Sequence, residues 1–389
     1  MKSSVKSKKS FRARVKGLAV RLVIAVLISF AFWSAVDYFA LHNWNNSESL
    51  IVRVIETGPE SVIASEHDSE DSYETLERST VVQILSGTRS DEVLHVKTVR
   101  LSGSGLEVHP GRRYLLVWDM FTDGTVQYSI ADAWRVSSVA GVVMLVCTVL
   151  IAFTGLRGLF ALLGLAASIV ILVFAMIPLT VKGWDCVWLA VASVVIISTA
   201  TILCVVRHAR YRLTALFGSL GGVFCGFLCG AVMVYLWQLN GLAGESAALL
   251  ASTLPGLNMR GLLLASVLIG SIGAVLDVSI SITASMSEFV DYDENIPLDR
   301  LLLAGLNVGN EVLGSMINTL ILAYIGSALP MAVLISSSGV EFSGLLNDPY
   351  IAQEIVQSLA GTLGLLFTIP ATAFSFVLQE SFSGRRSNA

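Results

Sequence analysis

Asp277, Ser281, Ser285 and Glu288 stand at offsets of 4, 8 and 11 residues in an otherwise apolar stretch. Thirty residues later Asn307, Glu311, Ser315 and Asn318 repeat those offsets, with Asn310 beside the glutamate. At 3.6 residues per turn each set forms one stripe on a helix. A carboxylate in hydrocarbon costs at least ~2.5 kcal/mol, so it is rarely there without a task. No basic residue lies at a similar depth to neutralise Asp277 or Glu311. Carboxylates so placed can exchange a proton or hold a cation. Amides and hydroxyls beside them would supply a polar lining, so the stripes read as an ion or proton path. The competing reading is polar glue between helices, where each bond gives only about 0.6 kcal/mol.

The elements that would carry these stripes are two apolar segments, 259–284 and 300–328. They are consecutive and therefore antiparallel. Glu311 lies about 16 Å along its helix, near the membrane midplane. Their cytoplasmic halves are expected to bring Asp277 toward Asn307 and Glu311, with Glu288 at the cytoplasmic interface. An earlier segment, 213–238, carries Gly218, Gly222, Gly226 and Gly230, with Gly221 added. Such an overlapping GxxxG face predicts close approach of another helix. Cys225 and Cys229 lie four apart on the same segment, and with no histidine near them they read as packing residues.

Composition places these segments in a bilayer. Of 389 residues 54% are hydrophobic and 14% charged, against roughly 25% charged in soluble domains. The mean hydropathy is +0.74. This excludes a cytosolic enzyme, a disulfide scaffold and a nucleic-acid binder. All five cysteines lie in or beside apolar runs.

The spans read as 18–41, 137–155, 159–181, 186–206, 213–238, 259–284, 300–328 and 352–378. The loop 239–258 is apolar enough to re-enter. Residues 1–17 form a basic tail, 18–41 an uncleaved signal anchor, 135–380 a seven-helix bundle and 381–389 a second tail. Arg157, Arg207, Arg210, Arg212, Arg300, Arg385 and Arg386 fall on one side, and only Lys182 and Arg260 on the other. The positive-inside rule then puts both termini in the cytoplasm and residues 42–134 outside. Pro178, Pro330 and Pro370 are expected to end or kink helices.

Residues 42–134 hold more acidic than basic side chains and five short β-type runs: 50–56, 80–87, 93–101, 113–119 and 125–130. Gly58-Pro59, Gly103, His109-Pro110-Gly111 and Asp123-Gly124 read as turns. The stretch 66–77, with Glu66, Asp68, Glu70, Asp71, Glu74 and Glu77, reads as a solvated loop extended by its own repulsion. The fold expected is an α-helical polytopic membrane protein of about eight transmembrane helices. A small extracytoplasmic all-β domain, an OB- or SH3-like barrel, follows the first helix.

No protease or hydrolase motif is present, and His95 and His109 lack a nucleophile pattern. Neither an enzyme, a metal site nor a cofactor is expected. The partners expected are the lipid bilayer and an ion or small solute. A second copy of the chain or an envelope protein is left open.

Three segments carry a resemblance: 155-GLRGLFALLGL-165, 261-GLLLASVLIGSIGAVLDVSISITASMSE-288 and 305-GLNVGNEVLGSMINTLILAYIGSALP-330. The second matches G-A-x-x-D-V-x-x-S-I at Gly273, Ala274, Asp277, Val278, Ser281 and Ile282. The third matches N-x-G-x-x-x-x-G-x-x-x-N-T-L-I-L-A-Y through Asn307, Gly309, Gly314, Asn318 and Tyr324. With them the chain resembles the YibE/F family of bacterial multi-span membrane proteins. Ile84–Gly87 is similar to a segment of that family's small extracytoplasmic domain. The family usually has Arg-Asp where this chain has Asn310-Glu311, so the carboxylate is kept without its basic neighbour. The resemblance implies the bacterial plasma membrane and a permease-like architecture rather than an enzyme.

Overall fold

The computed structural model describes residues 2–44, 49–68, 71–86, 90–101, 106–120, 126–206, 208–293, 295–339 and 341–382. Glu70, Gly87, Gly103, Asp123, Gly124, Arg207, Arg385 and Arg386 lie outside them. The chain forms two compact units, Met1–Gly158 and Leu159–Ala389.

The first unit holds α1 (Lys2–Asn43), five strands and α2 (Val136–Thr154). The strands are β1 (Ser49–Asp68), β2 (Asp71–Ile84), β3 (Val93–Leu101), β4 (Arg113–Met120) and β5 (Val126–Ala133). They pair antiparallel in the order β3-β2-β1-β4-β5. Alternate residues turn inward, as a sheet with one buried face requires. Val52, Val54, Val82, Ile84, Val96, Val108, Tyr114 and Leu116 form its core. Arg113 on β4 donates to Asp37 on α1 at 2.5 Å. Trp44 and Trp134 meet edge to face, ring centroids 5.0 Å apart. Helix α1 packs on α2 through Trp33 at Gly141 and through Ser29, whose hydroxyl lies 2.9 Å from that of Thr148.

The hairpin of β1 and β2 runs far past its expected ends. Glu66 pairs with Tyr73 and Ser65 with Glu74, so the acidic stretch forms paired strand rather than loop. Ion pairs join the strands of this hairpin to each other and to β3: Glu60 bridges Arg78 and Arg100, each at 2.9 Å, and Glu77, the last residue of the acidic stretch, bridges Lys97 at 2.9 Å. Gly58-Pro59 is not a turn either. It lies in a register shift between Thr57 and Glu60, a bulge that absorbs a residue without reversing the chain.

The second unit is helical. A helix begun at Leu156 (α3, Leu156–Val170) loosens into a π turn at Ile171–Met176 and resumes as α4 (Ile177–Val181). Pro178 explains the loosening, since it has no N–H to donate to the preceding turn. There follow α5 (Cys186–Val205), a 3-10 turn at Ala209–Tyr211, α6 (Arg212–Leu236), α7 (Glu245–Thr253), α8 (Met259–Tyr292), α9 (Leu298–Ser337), α10 (Phe342–Asn347) and α11 (Pro349–Phe382). Asp185 caps α5 by accepting from the amides of Val187 and Trp188, and Asn258 caps α8 by accepting from Gly261. Both α9 and α11 continue through their prolines, Pro330 and Pro370.

Among the described residues eight helices are long and apolar enough to cross a membrane: Ala19–Asn43, Val136–Thr154, Leu156–Val181, Cys186–Val205, Ala209–Leu236, Met259–Tyr292, Leu298–Ser337 and Pro349–Phe382. The segment between α6 and α8 contains α7, whose nine residues are too few to cross. The core of this unit gathers on α8, whose Leu268, Ile272, Val275, Val278, Ile282 and Met286 are buried.

Candidate functional site

The glycines of α6 face α11. A Cβ on Gly218 would stand 2.8 Å from the Thr372 Cα, and one on Gly222 would stand 2.8 Å from the Gly364 carbonyl oxygen. At Gly226 it would meet the Ala360 carbonyl at 2.7 Å, and at Gly230 the Ala360 Cβ at 3.1 Å. The two helices therefore touch along about three turns, a closeness that glycine permits. Hydroxyls finish the seam. The Ser279 hydroxyl of α8 donates to the Ala215 carbonyl of α6 at 2.8 Å and accepts from Thr372 at 3.1 Å.

One end of the seam is pinned by charge. Glu380 is fully buried near the end of α11. It accepts from the Tyr211 hydroxyl at 2.8 Å and from the Arg210 guanidinium at 3.1 Å. Tyr211 stacks on Phe376 with ring centroids 4.5 Å apart. Gln379 accepts from Thr214 and donates to the Arg210 carbonyl. The sequence gives no local spacing for this cluster, because its halves lie about 170 residues apart. Two apolar runs whose ends carry opposite charges were its only signal.

The stripe residues behave differently. Helix α9 rests on its neighbours through Gly305 and Gly309. A Cβ there would meet Met286 Cε at 3.0 Å and Ile282 Cδ1 at 3.1 Å on α8, and Ala373 Cβ at 3.2 Å on α11. At 100° per residue, Glu311 and Asn318 stand roughly 160° and 180° around the helix from Gly309. Asn307, Asn310, Glu311, Ser315 and Asn318 are accordingly all exposed. The Ser315 hydroxyl donates to Val312 in its own helix. On α8, Asp277 and Glu288 are exposed, while Ser281 and Ser285 are half-buried. Among the described residues no hydrogen bond or ion pair engages Asp277, Glu288, Asn307, Glu311 or Asn318.

The register of the two helices fixes their relative depths. Gly305 meets Met286, Gly309 meets Ile282 and Tyr324 meets Gly270. Asp277 therefore lies level with Gly314–Ile317. Glu311 is three to six residues further along, about 5–9 Å at 1.5 Å per residue. Asn307 is further still. Asp277 and Glu311 therefore stand at different levels, and Glu311 lies on the side of α9 away from its contacts with α8 and α11. Tyr324 lies two turns from Asp277 on the same side of α8 and within electrostatic reach of Glu354 on α11. Glu354 accepts from Ser327 at 3.3 Å, and Gln357 donates to Ser266 at 3.5 Å. Sequence reading passed over this second polar group, although Gln353, Glu354 and Gln357 stand close together at the start of the last span.

Residues 142–380 match the model of the YibE/F-like proteins. The chain belongs to the YibE/F family. The match begins within α2 and ends in α11, so it takes in nearly all of the helical unit and none of the β-strands of this YibE/F member. No curated protein and no solved structure matches the chain. The Cys225 and Cys229 thiols are free. Among the described residues no group of three or more His, Cys, Asp or Glu could hold a metal ion.

Proposed function

We propose that this protein is a permease-like carrier of a small solute or ion, with Asp277 and Glu311 as successive stations and Asn307, Asn310, Ser315 and Asn318 as lining. Ser281, Ser285 and Glu288 extend the path toward the cytoplasmic interface. One observation carries the reading. Two carboxylates within apolar spans are exposed and engage no partner, whereas Glu380 in the same unit is fully paired. A charge in a span without a structural partner is by default a functional residue, and an ion or solute path is one such use. The distribution of arginines supports a bacterial plasma-membrane topology with both termini cytoplasmic and residues 42–134 outside. The five-stranded order, with β3 and β5 brought near each other, supports a partly open barrel of OB type.

Flux in proteoliposomes under imposed pH and cation gradients tests this. Asp277→Asn and Glu311→Gln are expected to abolish gradient-dependent flux while the protein stays folded. Absence of flux in the native protein under every gradient tried would sink it.

A second reading has its own observation. The Arg113–Asp37 bond and the Trp44–Trp134 contact fasten the sheet to the α1–α2 pair. Such a rigid attachment fits a sensor or scaffold whose β-domain binds an envelope partner. A partner crosslinked in stoichiometric yield through residues 42–134, with both carboxylate variants still functional in the cell, would favour it.

A further inference from the structure

One end of the sheet gathers four arginines. Arg53 on β1 and Arg113 on β4 are register partners, so their side chains share one face. Arg112 precedes β4, and its carbonyl accepts from the Val54 amide at 3.1 Å. The Trp134 amide donates to the Arg113 carbonyl at 3.0 Å, which brings Arg135 to the same end. Two carboxylates serve these four guanidiniums. Asp37 takes Arg113 at 2.5 Å, with Arg53 in electrostatic reach, and Asp132 takes Arg135 at 2.6 and 2.8 Å. Arg53 and Arg112 are exposed, and among the described residues no hydrogen bond or ion pair engages their side chains. Arg78, Arg100 and Lys97, elsewhere in the sheet, are paired with Glu60 and Glu77.

This collar stands where an apolar surface begins. Asp37 of α1 also bonds Ser137 in the first turn of α2, and the span Val136–Thr154 starts at that level. A groove of about 570 Å³ runs from Arg135 along α2, between Phe32 of α1 and Val136, Val139, Val143 and Cys147. Arg135 to Cys147 is about 18 Å along the helix, close to the ~15 Å depth of one leaflet. A second groove of about 530 Å³, lined by Val36, Phe39, Ala40 and Trp44, meets the first at Val136.

We infer that this place binds one anionic phospholipid from the leaflet on the β-domain's side, its phosphate on the arginine collar and an acyl chain in the groove along α2. Three features select that occupant. The first is charge. The guanidiniums outnumber the carboxylates that hold them, and a guanidinium meets phosphate through two parallel N–H donors. A zwitterionic headgroup would bring a cation of its own beside them and gain less. The second is position. A free anion or an acidic peptide would engage the arginines and leave the groove empty. A partner helix would fill the groove and leave the arginines unpaired. An anionic lipid does both, being charged at one end and apolar over one leaflet's depth. The third is preformation. Trp33 lies against Gly141 and Ser29 against Thr148, so α1 and α2 hold the walls of the groove before a lipid arrives. The site lies wholly in the first unit and uses no residue of the transport path.

The test uses the full chain, purified and reconstituted in vesicles of phosphatidylcholine with a minority of phosphatidylglycerol. Two photoactivatable probes, a phosphatidylglycerol and a phosphatidylcholine, carry the same diazirine in the acyl chain and differ only in headgroup. Labelled peptides are read by mass spectrometry. In the native chain the phosphatidylglycerol probe is expected to label residues 136–147 several-fold more than the phosphatidylcholine probe. Arg53→Gln combined with Arg135→Gln is expected to bring the two probes level there. Val143→Trp fills the groove and leaves the charges in place, and is expected to lower labelling by the phosphatidylglycerol probe. Lys97→Gln, the same loss of charge on the far strand β3, is expected to change nothing. The basic tail also attracts anionic lipid, but it is labelled in its own peptides and serves as an internal standard. Arg53, Arg135 and Val143 are all exposed, and an unchanged circular dichroism spectrum shows that each variant folds. Equal labelling by both probes in the native chain would make the grooves ordinary lipid-facing surface and overturn the site. A headgroup preference that survives the double arginine substitution would overturn it as well. A preference untouched by Val143→Trp would overturn the seat of the acyl chain.

Discussion

The α6–α11 seam and the outer face of α9 are built from the same stock of residues, glycine with small or polar neighbours at helical spacing. In the seam every one of them is used. Gly218, Gly222, Gly226 and Gly230 admit the backbone of α11, and Ser279 bonds both neighbouring helices. On α9 the glycines split. Gly305 and Gly309 admit α8 and α11, while Gly314 and the amides beside it admit nothing within the chain. Residue type therefore does not separate packing from function in a membrane helix. Satisfaction does. A polar or small residue whose bonds and contacts are complete is structural, and an ionisable one left open in an apolar span is the default candidate for a functional role.

The largest expected effect comes from crowding the seam. Gly222→Leu drives a side chain into the Gly364 carbonyl and Thr368, neither of which can move away. It should cost about 3 kcal/mol, read by denaturant titration in detergent micelles. Gly314→Leu adds the same side chain where there is room, and should change the monomer's stability by less than about 0.5 kcal/mol. Equal losses would erase the distinction between the two faces.

Removing a carboxylate gives the next contrast. Glu380→Ala removes the carboxylate that accepts from the Tyr211 hydroxyl and the Arg210 guanidinium and should cost about 2 kcal/mol. Glu311→Ala removes a charge that nothing in the chain holds. It should leave stability unchanged or raised in the same titration, and a loss as large as that of Glu380→Ala would mean that Glu311 is structural.

The eight spans were legible because hydrocarbon thickness allows few lengths and the arginines mark the turns. The stripes were legible too, since periodicity assigns residues to a common face. Periodicity does not say which way that face turns. The expected meeting of Asp277 with Asn307 and Glu311 depended on the register of α8 against α9, and Gly305, Gly309 and Gly270 set that register through contacts no local pattern records. The long β1–β2 hairpin was hidden for a related reason. Six acidic residues in twelve look self-repelling, but strand pairing is a property of the backbone, and Glu77 at the end of the stretch meets Lys97 on the neighbouring strand. Glu380 went unread because its partners lie at the far end of the bundle in sequence.

The finest contrast lies between two serines. The Ser279 hydroxyl joins α8 to α6 and receives Thr372 from α11, so Ser279→Ala removes a three-helix junction. The Ala215 carbonyl keeps its place in its own helix ladder, so the loss should be modest, about 0.6–1 kcal/mol. The Ser315 hydroxyl only donates back to Val312, one turn earlier in its own helix. Ser315→Ala therefore removes no contact between helices, and its unfolding midpoint should match that of the native chain. A measurable loss at Ser315 in the purified monomer would show that the α9 face already packs against something within one chain. That outcome would return the whole stripe from lining to glue. No loss at Ser279 would show that the seam is held by its glycines alone, with the hydroxyls merely accommodated.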